Sequence, residues 1–318
     1  MIKKIKFGSS ELQVSPLSFG GNVFGWTLDE QKSFQMLDAL TDSGINFIDT
    51  ADTYSNWIPG NKGGESETII GNWLKQRGNR KDLVIATKFG GDLGDGKKGV
   101  SGKYVKEAVE ASLKRLNTDY IDLYQTHYDD PDTPVSETME ALHELVRAGK
   151  VRYIGASNLS AERITESNQY ARENKLTPYI SLQPLYNLYE REGFEKEYLP
   201  LIEKDQMAVI PYYALASGFL TGKYRGDDDT NKSPRGGGMS KYFNERGWAI
   251  LKAMDDVAAD LKVPLAQIAL AWQLHKPYIT APIASATSEH QLKDLVGSVN
   301  LSLSSEHMAT LDEASKLS

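Results

Sequence analysis

Three strand-like runs of this chain end in ionisable side chains. Asn46-Phe47-Ile48-Asp49 closes on a carboxylate, and Tyr54 follows five residues later. Leu83-Val84-Ile85-Ala86-Thr87-Lys88 closes on an ammonium, and Ile121-Asp122-Leu123-Tyr124-Gln125-Thr126-His127 on an imidazole. A parallel sheet would gather Asp49, Tyr54, Lys88 and His127 at one end. That set can donate a proton to a carbonyl oxygen without a metal. Each residue alone has an ordinary structural use: a loop carboxylate, a solvated strand end, a satisfied core histidine. Their joint placement favours a site, because polar residues that end buried strands need partners.

The elements that must position them alternate. Strand-like runs cover Leu17–Gly21, Asn46–Asp52, Leu83–Lys88, Ile121–His127, Val151–Ser157, Ile180–Leu185, Ala208–Tyr213 and Ile279–Ser285. Amphipathic stretches lie between them: Asp29–Ser43, Ser66–Arg77, Lys103–Leu116, Pro134–Ala148, Ser160–Asn174, Tyr198–Lys204, Asn244–Leu261 and Pro264–His275. Thr27-Leu28-Asp29-Glu30 reads as a capping box, Thr133 as a cap before a first-turn proline, and Gly44 and Gly149 as helix stops. Repeated strand-then-helix units imply parallel strands with crossover helices. The expected fold is an α/β (β/α)8 TIM barrel, a single domain over residues 1–318, with an N-terminal β-hairpin (Ile2–Phe7 and Gln13–Ser15) before the first barrel strand. In such a barrel the active site lies at the C-terminal strand ends. The polar segment from Gly222 to about Met239 is too long for a minimal connector and is expected to be functional or mobile.

Composition narrows the chemistry. The 318 residues carry a net charge of −7 with no long basic run, which argues against nonspecific nucleic-acid binding. No apolar segment approaches the ~20 residues that span a bilayer, and the start is too short in apolar run for a signal peptide. A cytoplasmic protein is the expectation. Cysteine is absent, which removes disulfides, thiolate nucleophiles and Cys-ligated metals. The five histidines include no HExxH pair, and no metal site is expected.

Phe47-Ile48-Asp49-Thr50-Ala51-Asp52-Thr53-Tyr54, Ala86-Thr87-Lys88 and Gln125-Thr126-His127 resemble the tetrad segments of the aldo-keto reductases. So do Gly64-Glu65-Ser66-Glu67 with Ile70-Gly71, Lys150 through Asn158, and Gln183-Pro184-Leu185-Tyr186-Asn187, in family order from about Leu17 to about Asp294. The resemblance implies nicotinamide-dependent reduction of aldehydes or ketones. Tyr54 would donate the proton, with its pKa lowered by Lys88. Asp49 would hold Lys88 charged, and His127 would orient the carbonyl.

The resemblance also places the cofactor. The carboxamide falls against Ser157, Asn158 and Gln183, the ring against Tyr212, and Gly21 and Asn22 lie nearby. The stretch Ala214–Lys223, with Leu215, Ser217, Gly218, Leu220 and Lys223, is similar to the family's pyrophosphate loop. The adenosine end involves Ser285, Thr287 and Gln291. Here the chain departs from the pattern, since many members carry Lys and Arg where it has Ser285 and Gln291; hydroxyls and an amide can still bind a 2′-phosphate without the formal charge, and NADP(H) stays the expectation with NAD(H) or dual use retained. Ser288-x-x-Gln291 also reads as a capping box.

Phe24, Trp26, Trp57 and Tyr128 are the candidate substrate-pocket residues for a small carbonyl compound, although any one aromatic can simply pack under a loop. Gly94-Asp95-Gly96-Lys97-Lys98-Gly99 matches GxGxxG, but five residues separate Lys88 from Gly94, and Asp119 precedes its strand. A substrate-side loop is the better reading. Two other functions compete. A nucleotide-sensing regulatory subunit would resemble the potassium-channel β subunits. A Schiff-base lyase using Lys88 would leave Ser157, Asn158, Gln183 and Tyr212 unexplained. Oligomeric state is not legible.

Overall fold

The structure is a computed structural model and describes residues 2–316. Met1, Leu317 and Ser318, the ends of the expected 1–318 domain, lie outside the described residues. A short antiparallel hairpin, β1 (Ile5–Lys6) with β2 (Gln13–Val14), opens the fold. Eight parallel strands come next: β3 (Ser18–Gly20), β4 (Phe47–Asp49), β5 (Val84–Phe89), β6 (Ile121–Thr126), β7 (Val151–Ala156), β8 (Ser181–Leu182), β9 (Ala208–Val209) and β10 (Ile283–Ala284). The order is β10-β3-β4-β5-β6-β7-β8-β9. Backbone N–H groups of Thr280 and Ala281 donate to Val209 O, and that of Ile283 donates to Pro211 O at 2.8 Å, so hydrogen bonds bridge the two ends of this order. The curled sheet with helices between its strands fits a (β/α)8 barrel.

Helices α1 (Glu30–Asp42), α2 (Glu65–Arg77), α3 (Gly102–Leu116), α4 (Val135–Arg147), α5 (Ala161–Glu173), α6 (Leu199–Asp205), α7 (Glu245–Leu261), α8 (Leu265–Leu274), α9 (Glu289–Ser298) and α10 (Ser305–Ser315) cover the outside. α4 shows why: Val135, Met139, Leu142 and Leu145 recur at helical spacing and are all buried. α2 and α3 approach so closely that a Cβ on Gly71 would stand 2.0 Å from Arg115 O. Two expected caps shift. Asp29, not Thr27, caps α1 and accepts from Lys32 N, while Pro134 occupies the cap position of α4 and Thr133 Oγ1 donates to Asp130 instead.

Strand alternation splits the core in two. Phe19, Ile48, Ile85, Tyr124 and Ile154 face the helices in the larger cluster. Phe47, Ala86, Leu123, Ile180, Ala208 and Ala281 form a second, inner cluster with Phe7, Leu12 and Val14 of the hairpin segment. Phe7 meets Phe47 edge-on, with centroids 5.5 Å apart. The period of two then sets which residues face inward farther along each strand. Two residues beyond Phe47 comes Asp49, two beyond Ala86 comes Lys88, and beyond Leu123 come Gln125 and His127. The inside is thus apolar at the hairpin end and polar at the other.

Candidate active site

The β4 strand ends at Asp49, but its pairing continues: Thr50 N donates to Ala86 O and Asp52 N to Lys88 O. The loop beyond is pinned. Ser55, at φ +72°, donates from its hydroxyl to Phe24 O, and Ser66 Oγ ties Thr50 to Gly21 O. Tyr54 is thereby turned back over the strand end. Lys88, with no exposure, distributes its ammonium hydrogens to Asp49 Oδ2 (2.6 Å), Thr50 O (2.8 Å) and Tyr54 Oη (2.9 Å). Tyr54 donates in turn to Asp49 Oδ2 over a longer 3.2 Å. The other carboxylate oxygen of Asp49 accepts from Gln183 Nε2 (2.8 Å) and Gln125 Nε2 (3.2 Å). Asp49, Tyr54 and Lys88 are therefore in direct contact.

His127 sits across from them, its ring centroid 6.3 Å from that of Tyr54 and stacked on Tyr128 at 4.4 Å. Its carbonyl accepts from Asn158 Nδ2, and its Nδ1 is buried with no partner among the described residues. Burial, helped by the Lys88 charge, holds the imidazole well below its ordinary pKa, so the ring is neutral. The net direction at Tyr54 runs opposite to the sequence expectation. Burial and then the Asp49 carboxylate push the Tyr54 phenol well above its ordinary value. Burial also lowers Lys88.

A cleft of about 1400 Å³ opens over this group. Ser157, Asn158, Gln183 and Tyr212 line it, as do Leu215, Ser217, Gly218, Lys223, Asn22, Ser285, Thr287 and Gln291. Tyr212 Oη donates to Asn158 Oδ1 (2.9 Å), and Ser157 Oγ to Gln183 O (3.0 Å). Gln183 differs from expectation, because its amide nitrogen is engaged by Asp49 and Gln125. Ala216, Ser217 and Gly218 all have positive φ and fold into a tight turn, in which Ala216 N donates to Tyr213 O (2.7 Å) and Gly218 N to Leu215 O (2.8 Å). Gln291 Oε1 accepts from Thr287 N and Oγ1, while Ser288 Oγ accepts from Gln291 N, so only part of the expected box forms.

Asp49 and Lys88 lie buried beneath Tyr54 rather than in the lining, and three of the expected cofactor and substrate residues fall outside the cleft. Gly21 is buried behind its wall, with its carbonyl held by Ser66, and Gly20 and Asn22 form the surface instead. Leu220 is fully buried in the outer core. Phe24 is likewise buried and stacks on Phe19 at 5.6 Å, because its place in the loop turns it toward the helices. The other pocket aromatics reach the mouth: Trp57 and Tyr128 are each 48% exposed, and Trp26 meets Trp57 edge-on. The GxGxxG run forms exposed turns between β5 and α3, not a strand-to-helix turn.

Sequence reasoning missed two residues. Gln125 lies two before His127 on β6 and shares its face, a signal that alternation carries. Arg235, in the polar segment after Gly222, lines the cleft over Trp26 at 5.1 Å. With the Asn22 amide nitrogen directed at Ser285 Oγ (2.7 Å) and Gly20 O (3.2 Å), its oxygen accepts from Arg235 at 2.7 Å. No periodicity marks such a residue beforehand.

Known proteins resemble this chain along nearly its whole length. The family model described as "Aldo/keto reductase family" matches residues 16–316. A "Probable voltage-gated potassium channel subunit beta" from Oryza sativa subsp. japonica is 36% identical over 295 residues, 90% of this chain and 87% of that protein. The "Uncharacterized oxidoreductase YrpG" of Bacillus subtilis is 35% identical, covering 96% of this chain and 94% of that protein. "Norsolorinic acid reductase B" of Aspergillus parasiticus is 33% identical, covering 96% and 82%.

Proposed function

The chain belongs to the aldo/keto reductase family, and from that premise we propose that it reduces aldehydes or ketones to alcohols with a nicotinamide dinucleotide, NADP(H) foremost, using Tyr54 as the proton donor. The observation that carries this reading is the contact of one buried ammonium, Lys88, with both the Asp49 carboxylate and the Tyr54 phenol at the floor of a large cleft.

The cleft residues fit the cofactor. Asn158, Ser157 and the side-chain amide oxygen of Gln183 offer polar groups to a carboxamide, and the Tyr212 ring offers a flat face. Ser217 and Gly218, small residues in the lining, and the Lys223 ammonium suit phosphate oxygens. Lys32, Lys223, Lys232 and Arg235 line the cleft against only Asp92 and Asp294, a balance that favours an anionic dinucleotide and supports NADP(H). Parallel kinetics with NADPH and NADH distinguish it from NAD(H) or dual use. When bound, the cofactor supplies the hydride.

The chain's own residues do the rest. Tyr54, held protonated by its surroundings, swings its hydroxyl from the long bond with Asp49 toward the carbonyl oxygen. As charge builds there, the phenol proton moves onto it, and Lys88 stabilises the phenolate left behind. Asp49, fixed by Gln125 and Gln183, keeps Lys88 in place. Neutral His127 orients the carbonyl by hydrogen bonding and carries no charge of its own. Trp26, Trp57 and Tyr128 wall the mouth, which suits substrates with an apolar or aromatic body.

Tyr54→Phe tests the assignment. Reduction is expected to fall at least ~10²-fold, while NADPH still quenches tryptophan fluorescence. Turnover at the wild-type rate would remove Tyr54 from the acid role. The likeness to potassium-channel β subunits keeps a nucleotide-sensing role as the competing outcome, and that outcome would appear as dinucleotide binding without turnover across a carbonyl panel. A Schiff-base role for Lys88 is disfavoured, since all its donors are engaged and it has no exposure.

A further inference from the structure

Two fully buried hydroxyl residues, Thr50 just past β4 and Ser66 in the first turn of α2, stand beside the site without lining the cleft. Their hydroxyl oxygens are 2.8 Å apart. Ser66 Oγ has one proton and gives it to Gly21 O at 2.8 Å, so Thr50 Oγ1 is the donor within the pair. Thr50 O in turn accepts from Lys88 Nζ at 2.8 Å. A chain of hydrogen bonds therefore runs from the buried ammonium through Thr50 and Ser66 to Gly21. The approach at its far end is close: a Cβ on Gly21 would stand 3.0 Å from Ser66 Oγ and 3.1 Å from Asp49 O. That contact accounts for a glycine at a position the cleft does not use.

The fold alone does not require the pair. Two buried hydroxyls that satisfy each other can be exchanged for apolar groups of the same shape at little net cost. Gly21 O would still accept from Phe24 N at 3.0 Å. The placement matters for Lys88, whose ammonium ends a flexible four-carbon stem and carries three N–H groups. Asp49 Oδ2, Thr50 O and Tyr54 Oη take one each. Once two bonds of a tetrahedral ammonium are directed, the third has one direction left. Gln125 and Gln183 hold Asp49, whereas Tyr54 swings its hydroxyl as it gives up the proton. Thr50 O is thus the second fixed acceptor. Thr50 N donates to Ala86 O and Asp52 N to Lys88 O, which restrains the backbone on either side, and the bond to Ser66 is the side-chain restraint between them.

We propose that Thr50 and Ser66 are positioning residues acting through Lys88: their hydroxyl pair fixes the Thr50 carbonyl, and that carbonyl aims the third ammonium hydrogen at Tyr54. In its effect on turnover the inference rests on the carbonyl-reduction reading.

Two substitutions separate the hydroxyl from the packing. Thr50→Val keeps the shape and removes the hydroxyl, while Thr50→Ser keeps the hydroxyl and removes a methyl group. In Thr50→Val, kcat for carbonyl reduction is expected to fall about tenfold, with NADPH binding by tryptophan fluorescence unchanged because the Ser66–Gly21 bond remains. Thr50→Ser should recover most of that loss even though its melting temperature is lower. The reverse order, with Thr50→Ser the slower enzyme, is what packing alone would give and overturns the proposal. Ser66→Ala should lower kcat about as much as Thr50→Val, and the double variant no further; losses that multiply overturn it too. A second measurement needs no turnover. With isotope-labelled lysine, the ammonium resonance that disappears in Lys88→Arg reports solvent exchange of the Lys88 hydrogens. Exchange is expected to be several-fold faster in Thr50→Val and to return toward the wild-type rate in Thr50→Ser. Equal rates in the wild type and Thr50→Val overturn the proposal. If the wild type reduces no carbonyl compound, the reductase reading fails, while the exchange measurement still decides whether the pair holds Lys88.

Discussion

At the scale of single residues, the site runs on protonation states that burial imposes. Tyr54 is kept as a phenol and His127 as a neutral imidazole, so neither changes charge near neutrality. Because His127 is depressed below its ordinary value, it gains a proton only in solutions more acid than the usual histidine range. The rate of carbonyl reduction is therefore expected to stay flat between about pH 5.5 and 7 as far as His127 is concerned; a limb near pH ~6.5 that disappears in His127→Gln would show that the ring titrates there. Asp52 works in the opposite sense. Its folded-state value, about 8, lies above that of an unfolded aspartate, so its contribution to stability is fully present below about pH 4 and is lost as pH rises toward 8. Asp49, Lys88 and His127 were legible because each ends an apolar run. The direction of the Tyr54 shift was not legible, since it depends on how deeply the ring is buried and on which oxygen its hydroxyl meets.

At the scale of elements, strands were easier to place than their ends. Val84–Phe89 and Ile121–Thr126 are buried throughout and each opens on a β-branched apolar residue, whereas only Ile283–Ala284 of the expected Ile279–Ser285 pairs as a strand. α10 escaped because its capping box uses His307 where Glu or Gln is the familiar signal. The segment after Gly222 also resisted reading, because its short turns at Asp227–Lys232, Gly236–Gly238 and Ser240–Tyr242 have no period. Its placement against the cleft bears on binding. Arg235 reaches Trp26 and Asn22 from this segment, which makes a strap across the opening. NADPH is expected to protect residues 222–242 from proteolysis. Arg235→Ala should weaken that protection and speed dinucleotide release about tenfold, equivalent to ~1.4 kcal/mol, as read by stopped-flow fluorescence. Unchanged cleavage and release would detach the strap from binding.

At the scale of the whole molecule, the parallel order of strands and the hairpin before them came from pattern alone, but the use of the hairpin did not. Only in three dimensions does Phe7 meet Phe47, with Leu12 and Val14 in the same inner cluster. Phe47→Ala is expected to cost ~3–5 kcal/mol, visible as a large fall in melting temperature. A change no greater than that of a surface substitution would make the hairpin ornamental. Phe47 also stands two residues before Asp49, so the same packing steadies the carboxylate that holds Lys88. With its lower end stoppered by phenylalanine and leucine, the molecule has the form of a cup with one rim. On the proposed reading, proton, product and nucleotide would all cross that rim, and the traffic of one would constrain the passage of the others.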